Sequence, residues 1–164
     1  MSIIDESEQF AKSEFKKLKP PYGLWYLLHS KYVGIAALAI NPELDKEIMW
    51  ISAWLHDVGK VKSLKGHARI SAKIAKNFLK GKLNKEKLAI VVDCIGHHGA
   101  MHKPKTREGK VFQSADKTSM FYPEVRKYLA KHMKNGKLKQ MLDRHYSEIK
   151  LKDAKKLALA QSKK

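Results

Sequence analysis

The chain has 164 residues, 34 of them Lys or Arg against 16 Asp or Glu, for a formal charge of +18. A chain of this length carries one domain with a sizeable core, since folds of this size bury roughly 70% of their unfolded-chain surface; the longest glycine-free apolar run, Ile35 to Ile40, is far short of the roughly 20 residues of a membrane span. The acidic start "MSIIDESEQF" lacks a secretory pattern and the single Cys94 permits no internal disulfide, so a cytoplasmic protein that meets polyanions is expected.

Every patterned segment reads as helix, and no run shows the sustained alternation of a half-buried strand. The expected fold class is all-α, a single-domain helical bundle. A first helix is predicted from Ile4 to Leu18, stopped by Pro20-Pro21, which cannot continue it. A second, Gly23 to Ile40, places His29 at the head of the stripe Val33, Ala36, Ala37 and Ile40. The third runs from Glu43 to His56-Asp57, with Gly59 expected to break it in a left-handed conformation. At such a fraying end two neighbouring side chains can converge on one small target, such as a metal ion.

Gly66 to Leu79 carries the stripe His67, Ile70, Ser71, Ile74 and Phe78, and Asn84 to His97 ends on the pair His97-His98. In the helix Glu108 to Phe121, Asp116 shares a face with Phe112, Ala115, Ser119 and Met120. From Phe121 onward thirteen basic residues meet four acidic ones, and Leu138, Met141, Leu142, His145 and Ile149 keep approximate helical spacing, so one or two further helices are predicted. The chain divides into an N-terminal helix (1–22), a core (23–126) and a basic helical extension (127–164).

Taken singly, an inward histidine such as His29 or His67 is also what a hydrogen-bonded core residue looks like, and Asp57 or Asp116 also suits capping or a lysine pair. Together they are imidazoles and carboxylates from five helices facing one interior, the donor mixture that borderline divalent metals select. A buried carboxylate at Asp116 needs a cation or donors in any case.

The order His29, His56-Asp57, Asp116 resembles the H…HD…D pattern of the HD superfamily of metal-dependent phosphohydrolases. The surroundings are similar too: "LLHSKYVGIAALAI", "ISAWLHDVGK" and "FQSADKTSMF" look like the helices that carry the first histidine, the HD pair and the last aspartate. The resemblance covers roughly Leu24 to Arg126. It implies a first metal held by His29, His56, Asp57 and Asp116, which activates water. It also implies one or two ions in all, with Asp57 as bridge and His67, His97 and His98 on the far side, since "KGHARISAKIAKNFL" and "AIVVDCIGHHGA" look like bacterial members that split dinucleoside tetraphosphates. In the same frame Asp57 and Lys60 are the catalytic residues, Lys60 reaches a phosphoryl oxygen, and Arg126 serves a distal phosphate; Lys60 also reads as an ordinary solvated lysine. Imidazole-rich coordination favours Mn, Fe, Co or Ni over Mg.

A cyclic-dinucleotide phosphodiesterase is disfavoured because "GAMHKPKTREGK" stands where that branch has Gly-Tyr-Pro. A zinc protease is disfavoured because Gly99 occupies the place of the required glutamate. The expected function is hydrolysis of a small phosphorylated compound, a nucleotide first. Two other readings stay open: a nucleic-acid-binding protein acting through the basic tail, with Lys127, Lys131, Lys134 and Lys137 along a polyanion path, and a signalling module that binds a nucleotide without hydrolysis. Oligomeric state is not legible.

Overall fold

Polar side chains set where the helices begin. Ser2 and Asp5 form a capping box ahead of α1 (Ile3–Phe15), and Asp45 accepts from the backbone N–H groups of Glu47 and Ile48 ahead of α3 (Lys46–Leu55). Asn84 caps α5 (Lys85–Gly96) through Lys87 N, and Thr106 caps α6 (Arg107–Thr118) through Gly109 N. Each cap satisfies donors that the first helical turn leaves without a partner. The third helix thus starts three residues later than its apolar pattern suggests, because Asp45 and not Glu43 supplies the cap.

A computed structural model of the chain describes residues 1–134 and 136–164. Among the described residues there are nine α-helices and no strand; the others are α2 (Tyr22–Ile40), α4 (His67–Leu79), α7 (Pro123–His132), α8 (Lys137–Glu148) and α9 (Lys152–Ser162). The all-α expectation holds. α2 is the central helix, packed against α1, α3, α6, α7 and α9, and its length and composition would also suit a membrane span. Its apolar character has a simpler cause: neighbours cover it on several sides, and a helix so surrounded needs no wide polar face. The core around it is built from Phe15, Val33, Met49, Ile51, Leu55, Ile95 and Phe112, all fully buried.

Gly59 does not adopt the left-handed conformation expected of it. After α3 the chain passes through His56 and Asp57 into a 3-10 turn, Val58–Val61, and the glycine is required by close approach instead. A Cβ at Gly59 would stand 2.6 Å from His67 O and 2.7 Å from Ser71 N, while Gly59 N–H donates to Ser71 Oγ at 2.8 Å. This contact presses the turn after Asp57 onto the start of α4, which carries His67.

The basic tail forms three helices, one more than the upper expectation. Pro123 opens α7 at a position where its missing N–H costs nothing. Gly136, at φ 84°, precedes α8 in a left-handed conformation that only glycine adopts without strain. Extended backbone at Ile149 and Leu151 then separates α8 from α9. Both helices pack on α6: Leu151 N donates to Ser114 Oγ at 3.3 Å and Thr118 Oγ1 donates to Ala154 O at 3.4 Å. Ile149, Ala154 and Ala158 are buried in that seam, so the tail is folded against the core.

Candidate metal centre

Five elements bring His29, His56, Asp57, His67, His98 and Asp116 to one place. His29 comes from the middle of α2, His56 and Asp57 from the end of α3, and His67 from the first position of α4. His98 follows α5, and Asp116 lies in α6. Donor atoms of His29, His56 and Asp57 lie within 4.8 Å of one another, and so do those of Asp57, His67 and His98. Asp57 belongs to both groups. Its Oδ2 faces His56 Nε2 at 3.4 Å and His29 Nε2 at 3.8 Å, whereas its Oδ1 faces His67 Nε2 at 3.4 Å and His98 Nε2 at 3.7 Å. Asp116 closes the first group, with Oδ1 2.9 Å from His29 Nε2 and 3.6 Å from His56 Nε2.

The outer hydrogen bonds show what these donors are built to hold. Nδ1 of His56, His67 and His98 lies 2.9, 2.9 and 2.7 Å from the carbonyls of Ala53, Leu64 and Ile95. A carbonyl only accepts, so each Nδ1 carries a proton and each neutral ring turns a lone pair inward from Nε2. At His29 the same result comes through Ser119, whose Oγ donates to Asp116 O at 2.8 Å and accepts from His29 Nδ1 at 3.1 Å. Yet Nε2 of His29 stands 3.2 Å from Nε2 of His56, and Nε2 of His67 stands 3.0 Å from Nε2 of His98. Acceptor faces acceptor in both pairs, and Asp57 Oδ1 is buried without a hydrogen-bond partner among the described residues. Lone pairs converging on an orphaned carboxylate oxygen fit cations, and orientation of ligating imidazoles by carbonyls is how metal sites fix the tautomer.

Electrostatics agree for three of the four histidines. Burial disfavours charge on His29, His67 and His98 and lowers the pKa of each, that of His98 to about 3, which keeps the rings neutral, with one nitrogen lone pair available to a ligand position. Burial acts on His56 in the same sense, but Asp57 and Asp116 together outweigh it and hold its pKa above the ordinary value. Burial would raise the carboxyls of Asp57 and Asp116; the neighbouring histidines and lysines overcome it and hold both well below the usual range. Lys60 Nζ lies 2.7 Å from Asp57 Oδ2, and Lys117 Nζ lies 2.6 Å from Asp116 Oδ2. Each lysine loses solvation by burial, but its carboxylate partner raises its pKa, so both stay cationic.

A cavity of about 240 Å³ opens over this centre, lined by His29, Lys60, His67, His98, Asp116 and Lys117, with Trp25, Tyr26, Met120, Met141, Arg144 and His145 around them. A larger, mainly apolar groove lined by Phe15, Leu18, Pro20, Pro21, Leu24 and Leu27 with Lys12 and Lys16 includes none of these donors. Trp25 stacks on His29 at 5.5 Å between ring centroids and forms part of the cavity wall.

Two sequence-predicted residues are not brought to the centre. His97 turns away from its neighbour His98: its Nδ1 bonds Asp93 Oδ1 at 2.9 Å, and its ring stands edge-on to His102. Arg126 does not line the cavity; Nε donates to Phe121 O at 3.1 Å and Nη2 to Gln161 O at 3.2 Å, tying α7 to α9. Conversely, Lys117 and His145 line the cavity although neither is among the sequence-predicted site residues. The signal for both was present: a charged or imidazole side chain at an inward-facing helical position, as for His29.

The "HD domain" family model matches residues 26–120, more than half of the chain and the whole span from His29 to Asp116. The fold is similar to the crystal structure of a predicted HD superfamily hydrolase from an uncultured Thermotogales bacterium, with a TM-score of 0.67 and 22% sequence identity over 89% of this chain and 86% of that one. No curated protein matches the chain. With the matched segment carrying His29, the His56-Asp57 pair and Asp116 in order, and with those four side chains meeting in space, the chain belongs to the HD-domain family.

Proposed function

We propose that the protein is a metal-dependent phosphohydrolase whose two donor groups, which share Asp57, would each hold a divalent ion. The observation that carries this reading is the division of Asp57 between two donor groups, one oxygen toward each. His29, His56, Asp57 and Asp116 would hold the first ion, and Asp57, His67 and His98 the second. Four imidazole nitrogens in the set favour Mn, Fe, Co or Ni over Mg, which prefers an oxygen shell. Bound there, such ions supply a water acidic enough to attack phosphorus near neutral pH and neutralise charge on the phosphoryl group.

The chain's own groups do the rest. Lys60 and Lys117 flank the cavity as fixed cations, each oriented by a ligand carboxylate, and offset charge that develops on phosphoryl oxygens. The carbonyls of Ala53, Leu64 and Ile95 hold three imidazoles in one tautomer, so no reorganisation is needed when substrate arrives. Tyr26 lies beneath Lys60, with the ammonium 4.9 Å from the ring centroid, and limits where that ammonium can swing. The confined cavity suits a small phosphorylated compound, and a nucleotide is the first class to test.

Protein purified without chelator is expected to contain close to two transition-metal ions per chain and to hydrolyse at least one member of a panel of nucleotides and simple phosphate esters. Absence of turnover with Mn, Fe, Co and Ni across that panel would remove the catalytic reading. Metal content would then still report on the donor set.

A further inference from the structure

The cavity over the metal centre is not closed by the matched HD segment alone. One wall comes from α8, which lies beyond residue 120 and projects Met141, Arg144 and His145 into the opening. Among the described residues, Arg144 is the cation that α8 contributes to that wall, in a long ion pair with Glu148. Its side chain is 66% exposed, and its nearest carboxylate, Glu148 Oε1, is 3.9 Å from Nε, too far for a hydrogen bond. His145 is largely enclosed, and its Nδ1 is buried without a hydrogen-bond partner; Glu148 Oε2 is 3.5 Å away. Glu148 thus faces both side chains and also Lys117, whose Nζ is 4.0 Å from Glu148 Oε2. Glu148 is not part of the cavity lining.

The opening also continues past this wall. Met141 and Arg144 line a second cleft together with Met133, Lys137 and Gln140, so Arg144 stands at the junction between the metal cavity and a groove that adds another lysine. Lys60 and Lys117 are held at 2.7 and 2.6 Å by the carboxylates of Asp57 and Asp116, whereas Arg144 and Lys137 both line the groove. A substrate whose scissile phosphoryl group sits at the metals would lead its next group toward Arg144.

Resting on the phosphohydrolase reading above, we propose that α8 is the specificity element of the site, with Arg144 and His145 receiving a second anionic group adjoining the phosphoryl group at the metals. The preferred substrate then carries at least two neighbouring phosphoryl groups. Guanidinium suits this task because its fork presents several donors to one phosphate, and Met141 gives the apolar side of the same wall.

The test compares two probes by calorimetry on Mn-loaded protein, with Mn in excess: inorganic phosphate, which offers one group, and methylenediphosphonate, which offers two joined by a bond that cannot be hydrolysed. Arg144→Gln is expected to weaken methylenediphosphonate about tenfold and phosphate less than about twofold. His145→Gln should act in the same direction with a smaller effect. Lys139→Gln removes an equal charge from the solvent face of the same helix, where the side chain is 82% exposed, and should change neither probe. Equal losses in Arg144→Gln and Lys139→Gln would reduce the effect to bulk charge and overturn the proposal. So would unchanged methylenediphosphonate binding in Arg144→Gln, or failure of the wild type to prefer it over phosphate. None of these outcomes depends on turnover, so a protein that binds both probes as expected but hydrolyses nothing would sink the catalytic reading and leave the role of α8 standing.

Discussion

His97 and His98 are neighbours at the end of α5 and do opposite things. The side chain of His98 is 3% exposed, aimed at Asp57, and oriented by Ile95 O. The side chain of His97 is 38% exposed and bonded to Asp93, four residues back on its own helix. The same contrast holds for the two carboxylates. Asp57 has one oxygen without a hydrogen-bond partner, whereas Asp93 is saturated: it accepts from Lys105 N, Thr106 N, Thr106 Oγ1 and His97 Nδ1. A saturated carboxylate is a structural device that ties the loop before α6 to α5. A carboxylate left short of donors and ringed by imidazole lone pairs awaits a cation. Residue type alone does not separate the two; completeness of hydrogen bonding does.

The largest expected effect breaks the metal side of this contrast. Asp57→Asn keeps the shape but removes the charge shared by both donor groups, so bound metal should fall to near zero and hydrolysis by at least about a thousandfold. Elemental analysis beside a turnover assay checks it, and a variant that keeps most of its metal would show that Asp57 is not the bridge.

His98→Gln and His67→Gln come next. Each should lower metal content from about two ions to about one, because only the group on the Oδ1 side of Asp57 loses a ligand, while far-ultraviolet circular dichroism stays that of the wild type. If either variant loses both ions, the two groups are not separable in the way their geometry suggests.

On the structural side, Asp93→Asn should leave metal content unchanged and destabilise the fold by about 1–3 kcal/mol, the usual cost of disrupting hydrogen bonds to a buried charged group. The effect has a definite pH dependence. Burial opposes ionisation of Asp93, but its donors from Thr106, Lys105 and His97 win and lower its pKa. A lowered carboxylate contributes stability that is fully present above its unfolded value near 4 and is lost as pH falls through the folded value. The melting-temperature difference between metal-free wild type and Asp93→Asn is therefore expected to be constant from pH 7 to about 5 and to shrink below about 4. A gap that widened in acid would contradict the assignment of Asp93 as a charged acceptor.

The smallest effect belongs to His97→Gln. It removes one partly exposed contact to Asp93, worth about 1 kcal/mol or a few degrees in melting temperature, with full metal content. Loss of an ion in this variant would return His97 to the ligand set that the HH pair first suggested.

Much of this was legible in one dimension. The helix order, the inward positions of His29 and Asp116, and the adjacency of His56 and Asp57 at a helix end follow from the periodicity of apolar residues, because a 3.6-residue repeat states which side chains share a buried face. The same logic named His67. It failed where direction depends on how a chain leaves a helix. His97 sits at φ −120° and ψ 17°, outside helical values, and this one departure separates its ring from that of His98. It failed again at Gly59, where a glycine required by the closeness of His67 O and Ser71 N was read as a left-handed stop. Close approach between segments leaves no periodic trace.

The tail shows the boundary most clearly. Its spacing announced helices, and Gly136 and Pro123 mark two of the three starts. That α8 lines the opening of the metal cavity with Arg144 and His145 is set by its packing on α6, behind which buried Ile149 and the bonds of Leu151 to Ser114 and of Thr118 to Ala154 anchor the chain that follows. A linear pattern records which face of a helix is apolar and not which other helix will cover it, because that partner is chosen by the fit of surfaces distant in sequence.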